Sequence, residues 1–341
     1  MTSAGSAFGA SAPVRLDFAG GWTDVPPFSS DEGGVVVAAA VGLRVHAKVR
    51  LSGAHAGAPS HGVRVVSDDL GETLEVPSHD ALPREGPLAL VSAALRRYPL
   101  PGAGELRTRS DVPPGSGLGS SGALDVAVVA ALLAVRGEEC EPSEVAHRGW
   151  LVEAGDACIP GGKQDQYMAA LGGFQQLRFD DPRVTAEPLI LDDAVRDGLA
   201  SGILLCYTGR SRLSGNTIAR VIAAYERREP AVTQALLGIR DAAERMPEAL
   251  RSGDLTRIGA LLDLNWRHQQ VLDPVMCTTE MAALERAVRA AGSLGGKAAG
   301  SGAGGCMFFV VADAARAAAA ARAAGAELLP VIWSSDGVMP C

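Results

Sequence analysis

A chain of 341 residues, 47% hydrophobic and 21% charged, has the composition of an ordinary globular protein and enough length for two domains sharing a cleft. Its net charge of -8 excludes a general nucleic-acid or membrane surface but leaves room for a local basic pocket that holds an anion. The amino-terminal MTSAGSAFGASAP has neither the basic start nor the apolar core of a leader, and no apolar run approaches the roughly eighteen residues of a membrane span, so a cytoplasmic location is expected.

The first stretch with chemical character is 14-VRLDFAGGWTDVPPF-28. A short strand runs into the glycine pair Gly20 and Gly21, then into Trp22 and Asp24, and two prolines stiffen the exit. A carboxylate accepts hydrogen bonds from sugar hydroxyls and an indole packs on a sugar's apolar face, so the pair suits a polyol; a tryptophan here equally suits the core. Residues 14 to about 76 are strand-rich: 33-GGVVVAAAV-41 is continuously apolar, and 43-LRVHAKVRL-51 alternates. Arg44, His46, Lys48 and Arg50 share one face, as expected of the solvated side of an antiparallel sheet.

Helical spacing follows at about 87–98, 120–136 and 143–156, and a strand returns at 174-FQQLRFD-180. The glycine-rich 113-PPGSGLGSSGAL-124 runs straight into the apolar 125-DVAVVAALLAV-135. Glycines let the backbone turn and let a bulky anion approach it, while a helix start offers unpaired N–H groups and the positive end of the helix dipole. Such a loop is a phosphate cradle; a flexible turn capping a buried helix is the plainer alternative. Gly117, Gly119 and Gly122 also satisfy G-x-G-x-x-G, but 105-ELRTRSDV-112 is not an apolar strand, and Glu138 and Glu139 follow the helix with no strand between, which disfavours an NAD-dependent oxidoreductase. Ala123 stands where a Walker loop needs lysine.

In 151-LVEAGDACIPGGKQDQYMAALGGF-174, Glu153 sits near a helix end, and a Pro-Gly-Gly turn sets Lys163 and Asp165 on a fixed spur, as a working pair or as an inert ion pair. After about residue 185 the composition shifts. Strands near 202–207, 306–312 and 327–333 frame helices at about 214–228, 231–250, 255–272 and 279–291, an α+β layout in two lobes. A second glycine-rich loop, 295-GGKAAGSGAGGC-306, precedes the apolar 306-CMFFVV-311, and two such loops suggest two walls around one ligand. The alanine-rich 312-ADAARAAAAARAAGAE-327 reads as an amphipathic helix ended by Gly325. Six cysteines without a C-x-x-C pair, and six histidines without H-E-x-x-H, indicate neither zinc nor a disulfide framework.

The ordered set 13-PVRLDFAGGWTD-24, 113-PPGSGLGSSGAL-124 and 295-GGKAAGSGAGGC-306 resembles the three signature motifs of the GHMP small-molecule kinases, the superfamily of galactokinase, homoserine kinase and mevalonate kinase. The resemblance spans almost the whole chain, and Ser301 and Ala303 depart from the family's commoner glycine run. AGGWTDVPPF and PGGKQDQY are similar to the sugar 1-kinases of heptose 7-phosphates, with L-fucokinase next. The resemblance implies an α+β GHMP kinase fold: an N-terminal ribosomal-protein-S5-like, ATP-binding domain over 1–185 and a ferredoxin-like C-terminal domain over 186–341.

It also implies roles. Pro114, Gly115, Ser116, Gly117, Leu118, Gly119, Ser120, Ser121 and Gly122 would cradle the ATP phosphates, with Ser121 and Glu153 holding Mg²⁺ and Ser120 as the fallback. Asp165 would take the proton of the attacking hydroxyl, Arg15 would stabilise the transferred phosphoryl group, and Lys163 would act on one or the other. Asp17, Gly20, Gly21, Trp22 and Asp24 would line the sugar site, and Lys297, Gly300, Gly302 and Gly304 the third-motif loop. The stretch 206-CYTGRSRLSG-215 resembles a Thr-Gly-x-Ser-Arg segment of the heptose phosphate kinases; with Thr208 and Gly209 it would bring Arg210 and Arg212 to a phosphate already on the substrate.

The implied activity is ATP-dependent phosphorylation of the anomeric C1 hydroxyl of a heptose 7-phosphate. An L-fucokinase-like or cyclitol kinase acting on an unphosphorylated polyol is the alternative. The expected partners are a small sugar or sugar phosphate and, at most, a second copy in a homodimer.

Overall fold

The computed structural model describes residues 7–51, 62–209 and 215–341. In the first part of the chain β1 (Ala7–Ala19), α1 (Phe28–Glu32) and β2 (Gly34–Leu51) are followed by β3 (Val63–Ser67), β4 (Glu72–Val76), α2 (Ala89–Arg97) and β5 (Gly104–Ser110). Then come α3 (Ser120–Arg136), α4 (Pro142–Trp150), a π-helical turn (Leu151–Asp156), α5 (Gln164–Leu171), β6 (Phe174–Asp180) and β7 (Arg183–Pro188). These seven strands, with a short one from residues 339–340, build an eight-stranded sheet.

Long β2 shows how sequence pattern becomes position. Its apolar half pairs with β6 through residues 34–39 and is buried throughout, whereas beyond Gly42 it pairs with β5 and alternates. There Val45, Ala47 and Val49 face the core while Lys48 and Arg50 are exposed, the expected one-sided pattern. Helix α3 lies across β1 and β2. Its ends are set by Gly119 (φ 76°) and Gly137 (φ 68°), whose left-handed backbone neither starts nor continues a helix with ordinary residues.

The second part runs α6 (Asp193–Gly202), β8 (Ile203–Tyr207), α7 (Gly215–Glu226), α8 (Pro230–Ser252), α9 (Leu255–Leu272), α10 (Thr279–Ala290), β9 (Ser293–Ala298), β10 (Cys306–Val311), α11 (Ala314–Ala323) and β11 (Glu327–Leu329). Its sheet has the order β11-β8-β10-β9. Where the sequence suggests a loop from 295, residues 293–298 are instead the edge strand β9. The glycines serve close approach there: a Cβ on Gly295 would lie 1.9 Å from the carbonyl oxygen of Gly259 on α9.

The chain then returns to the first sheet. Trp333 bridges Val41, and β12 (Met339–Pro340) pairs with Ala10 and Ser11 of β1, so residues 333–341 lie along the first lobe rather than with the rest of 186–341. The strand expected over 327–333 stops at Leu329 for this reason. One continuous core joins Val14, Leu16 and Val37 of the first sheet to Ala242, Met246 and Leu262 of α8 and α9. No described helix is long and apolar enough to cross a membrane.

Candidate active site

The two glycine-rich segments and the end of β1 meet at one point. The backbone of Arg15 donates to the carbonyl of Leu118, and Cys306 donates to the carbonyl of Ser116 at 2.7 Å. A Cβ on Gly300 would lie 2.3 Å from the carbonyl oxygen of Gly117, and one on Gly305 2.5 Å from that of Ser116. Only glycine permits this approach. Gly115, Gly117 and Gly119 all have positive φ, Leu118 is buried as the loop's anchor, and Pro114 is exposed. No side chain caps α3, so its first N–H groups are left for a ligand. Ser120 and Ser121 open the helix, with Ser121 exposed.

Asp165 lies beside this helix start. A Cβ on Gly122 would meet the Asp165 Cβ at 2.5 Å, and one on Gly119 would meet its Cγ at 3.1 Å. The Arg15 guanidinium reaches Asp165 Oδ1 through both Nε and Nη2 at 2.8 Å, and its Nη1 donates to the carbonyls of Gly117 and Ala299 at 2.8 Å each. Arg15 therefore touches the phosphate loop, the third motif and the carboxylate at once. Lys163 points elsewhere: its ammonium pairs with Asp181, which also accepts from Ser29 and Ser30, and lies 4.6 Å from the centre of the Trp150 ring. It anchors the Pro-Gly-Gly spur instead of contacting Asp165.

Glu153 is held by the π-helical turn, and its carboxylate accepts from Gln166 Nε2 at 2.6 Å. Burial, then the nearby Asp165 charge, pushes its pKa up to about 7. Asp125, one helical turn beyond Ser121, accepts from the same Gln166 nitrogen at 3.2 Å, and burial followed by the Glu153 charge drives its pKa well up. Hard oxygens without a cationic partner are what magnesium takes, and the buried Asp125 Oδ1 has no hydrogen-bond partner. Among the described residues no three His, Cys, Asp or Glu side chains form a metal site by themselves, so an ion at Ser121 and Glu153 would draw its other ligands from phosphate and water.

The first-motif residues divide between site and scaffold. Asp24 accepts from Gln164 through the backbone N at 3.0 Å and through Nε2 at 3.2 Å. Its pKa is pushed up to about 7, mainly by burial, and a Cβ on Gly162 would strike its Oδ2. Asp17 pairs with Lys297 at 2.9 Å, both being buried, and Gly21 leaves room for it: a Cβ there would lie 2.3 Å from Asp17 Oδ2. Gly20 (φ 102°) donates to Asn265, while Gln269, one turn along α9, donates to the carbonyl of Gly300. The Trp22 ring packs in a cluster with Phe28, Val221, Tyr225 and Leu236, so most of it serves the core; its buried Nε1 has no partner.

In the third motif Gly302 and Gly304 have positive φ, and Ala303 takes a left-handed φ of 62°, as its backbone N–H donates to the carbonyl of Met276. Thr208 donates to the carbonyl of Gly305, and Gly209 (φ 74°) follows it. Arg210 and Arg212 fall outside the described residues. Asp125, Asp181 and Asn265 carry no motif in the sequence, and Gln164 and Gln166 lie inside PGGKQDQY without a role that the motif assigns to them. Asp125 alone leaves a signal, as the one charged residue between Gly119 and Arg136.

A glycine loop, an uncapped helix start, an arginine and a carboxylate that converge at one point have the chemistry of a phosphotransferase. Residues 87–173 match the N-terminal domain of the GHMP kinases and residues 246–329 their C-terminal domain, together about half of the chain. The chain belongs to the GHMP kinases and is an ATP-dependent kinase of that family. The D-glycero-alpha-D-manno-heptose 7-phosphate kinase of Campylobacter jejuni is 29% identical to it over 312 residues, 88% of either chain. The bifunctional fucokinase/GDP-fucose pyrophosphorylase of Arabidopsis thaliana is 29% identical over 323 residues, which are 89% of this chain and 30% of that protein. A D-glycero-D-manno-heptose 1-phosphate kinase from Bacteroides thetaiotaomicron has the same fold, with a TM-score of 0.78 at 24% identity over 98% of both chains. Lactococcus lactis galactokinase, complexed with galactose, gives 0.76 at 19% identity over 98% of this chain and 95% of its own.

Proposed function

We propose that the chain transfers the γ-phosphoryl group of ATP to the C1 hydroxyl of a heptose 7-phosphate, giving a heptose 1,7-bisphosphate and ADP. The observation that carries the transfer chemistry is the contact between Arg15 and Asp165 beside the α3 start. A sugar hydroxyl at Asp165 would lie next to a phosphate on the 115–122 loop, with Asp165 receiving its proton and Arg15 meeting the charge that develops on the phosphoryl oxygens. Ser121 and Glu153 would hold Mg²⁺, which when bound neutralises triphosphate charge. Asp24, fixed by Gln164, would accept from a sugar hydroxyl, and the unpartnered Trp22 Nε1 would donate to one. The heptose reading is supported by the Campylobacter jejuni relative, matched over 88% of its length.

A second reading, an L-fucokinase-like enzyme on an unphosphorylated sugar, draws on the similarity to the Arabidopsis fucokinase. Incubation with Mg-ATP and a panel of free heptoses, heptose 7-phosphates and L-fucose, followed by ADP release and ³¹P NMR of the product, separates the two. An anomeric phosphate formed preferentially on the 7-phosphorylated heptose is expected. Equal or better turnover of a free sugar overturns the heptose-phosphate reading and keeps the kinase. Arg210→Ala and Arg212→Ala sharpen the comparison. Loss of one charge-assisted phosphate contact, about 1.5–3 kcal/mol, should lower kcat/KM for the phosphorylated sugar about ten- to a hundredfold and spare the free one.

A further inference from the structure

Four polar side chains from three elements meet behind the phosphate loop. Ser121 and Asp125 are four residues apart on α3 and so share a face; Glu153 comes from the π-helical turn and Gln166 from the first turn of α5. Gln166 is fully buried, and its Nε2 donates to Glu153 Oε2 at 2.6 Å and to Asp125 Oδ2 at 3.2 Å. An amide nitrogen with two hydrogens can hold two carboxylates at once, one on each hydrogen, which a hydroxyl cannot do. Gly149 makes space for the arrangement, since a Cβ there would lie 3.2 Å from that of Asp125.

As core packing the cluster is poor. Gln166 Oε1 and Asp125 Oδ1 are both buried without a partner, and a partly satisfied polar network in the interior destabilises a fold relative to apolar packing. Its geometry suits another task. With Oε2 taken by Gln166, Glu153 is held in one orientation and its other oxygen remains for an ion. Because Gln166 and Asp165 are neighbours on α5, the same contact ties the orientation of Glu153 to the helix that carries the reacting carboxylate.

We propose that Gln166 is a positioning residue for magnesium bound at Glu153, and that Asp125 fixes the Gln166 amide in that role. This rests on the reading of Glu153 as a magnesium ligand. Outer-shell partners of metal ligands are worth about ten- to a hundredfold in metal affinity. Gln166→Met keeps the volume of the side chain and removes both donors.

The measurement is Mn²⁺ affinity, by electron paramagnetic resonance, of the full-length protein saturated with the ATP analogue AMP-PNP, set beside metal-free AMP-PNP affinity and thermal stability. Gln166→Met should weaken Mn²⁺ binding about tenfold and change metal-free analogue binding less than twofold; the isosteric Asp125→Asn should act in the same direction to a smaller extent. If Gln166→Met fails to fold, Asp125→Asn carries the test. Wild-type Mn²⁺ affinity in these variants, with affinity lost in Glu153→Gln, overturns the positioning role and leaves the metal reading intact. If Glu153→Gln also keeps wild-type affinity, both fall.

Discussion

Asp17 of β1 and Lys297 of β9, 280 positions apart, form an ion pair at 2.9 Å that is sealed from solvent, and the same ammonium donates to the Asp17 carbonyl at 2.7 Å. The first and third motifs are thus fastened by charge as well as by backbone contact. Removing one member of a buried pair leaves the other uncompensated, at a cost of about 3–5 kcal/mol. Lys297→Met should therefore lower the urea midpoint sharply, while Lys297→Met with Asp17→Leu should recover most of the loss. Equal destabilisation in the single and double variants would contradict a pairing role.

Asp165 makes its close contacts with Arg15 and with the glycines of α3, and its side chain remains one-quarter exposed. Asp165→Asn should lower kcat about 10²- to 10⁴-fold with little change in KM for ATP. Near wild-type turnover would remove Asp165 from the chemistry.

Asp24 gives a signature in pH. Its native pKa is raised from 3.8 to about 7, chiefly by burial, so between these values the native chain holds a proton that the unfolded chain has released. Stability from this group is complete below about pH 4 and declines as pH rises towards 7, by up to about 1.4 kcal/mol per pH unit. Asp24→Asn should flatten the fall in unfolding free energy across that window, measured by urea denaturation at several pH values. Parallel slopes for variant and wild type would show that Asp24 is not held protonated.

Gly300 faces the Gly117 carbonyl with no room for a methyl group. Gly300→Ala should displace the phosphate loop and reduce kcat/KM for ATP about ten- to a hundredfold. An unaltered value would mean the loop tolerates the shift.

Much of the fold is legible in periodicity. The doubly buried and one-sided halves of β2, the apolar α3 and the alternation of strands and helices after residue 185 all follow from which faces meet water. The site is legible where chemistry is local, as in the uncapped, glycine-rich start of α3. It is not where partners come from distant elements. Lys163 reads as a neighbour of Asp165 because they are two residues apart, yet Asp181 captures it from the end of β6. Nothing in the stretch around Asp17 tells that Lys297 arrives from the second sheet to pair with it. Gln166 shows no spacing signal because α5 is only eight residues long and follows a turn of the kind that usually opens a loop.

The return of β12 to β1 bears on how the chain acquires its shape during synthesis. Since Met339 and Pro340 are made long after Ala10 and Ser11, the amino-terminal sheet emerges from the ribosome with this stretch of its border open until residue 340 is made. That border presents unpaired backbone groups to any other extended strand in the meantime.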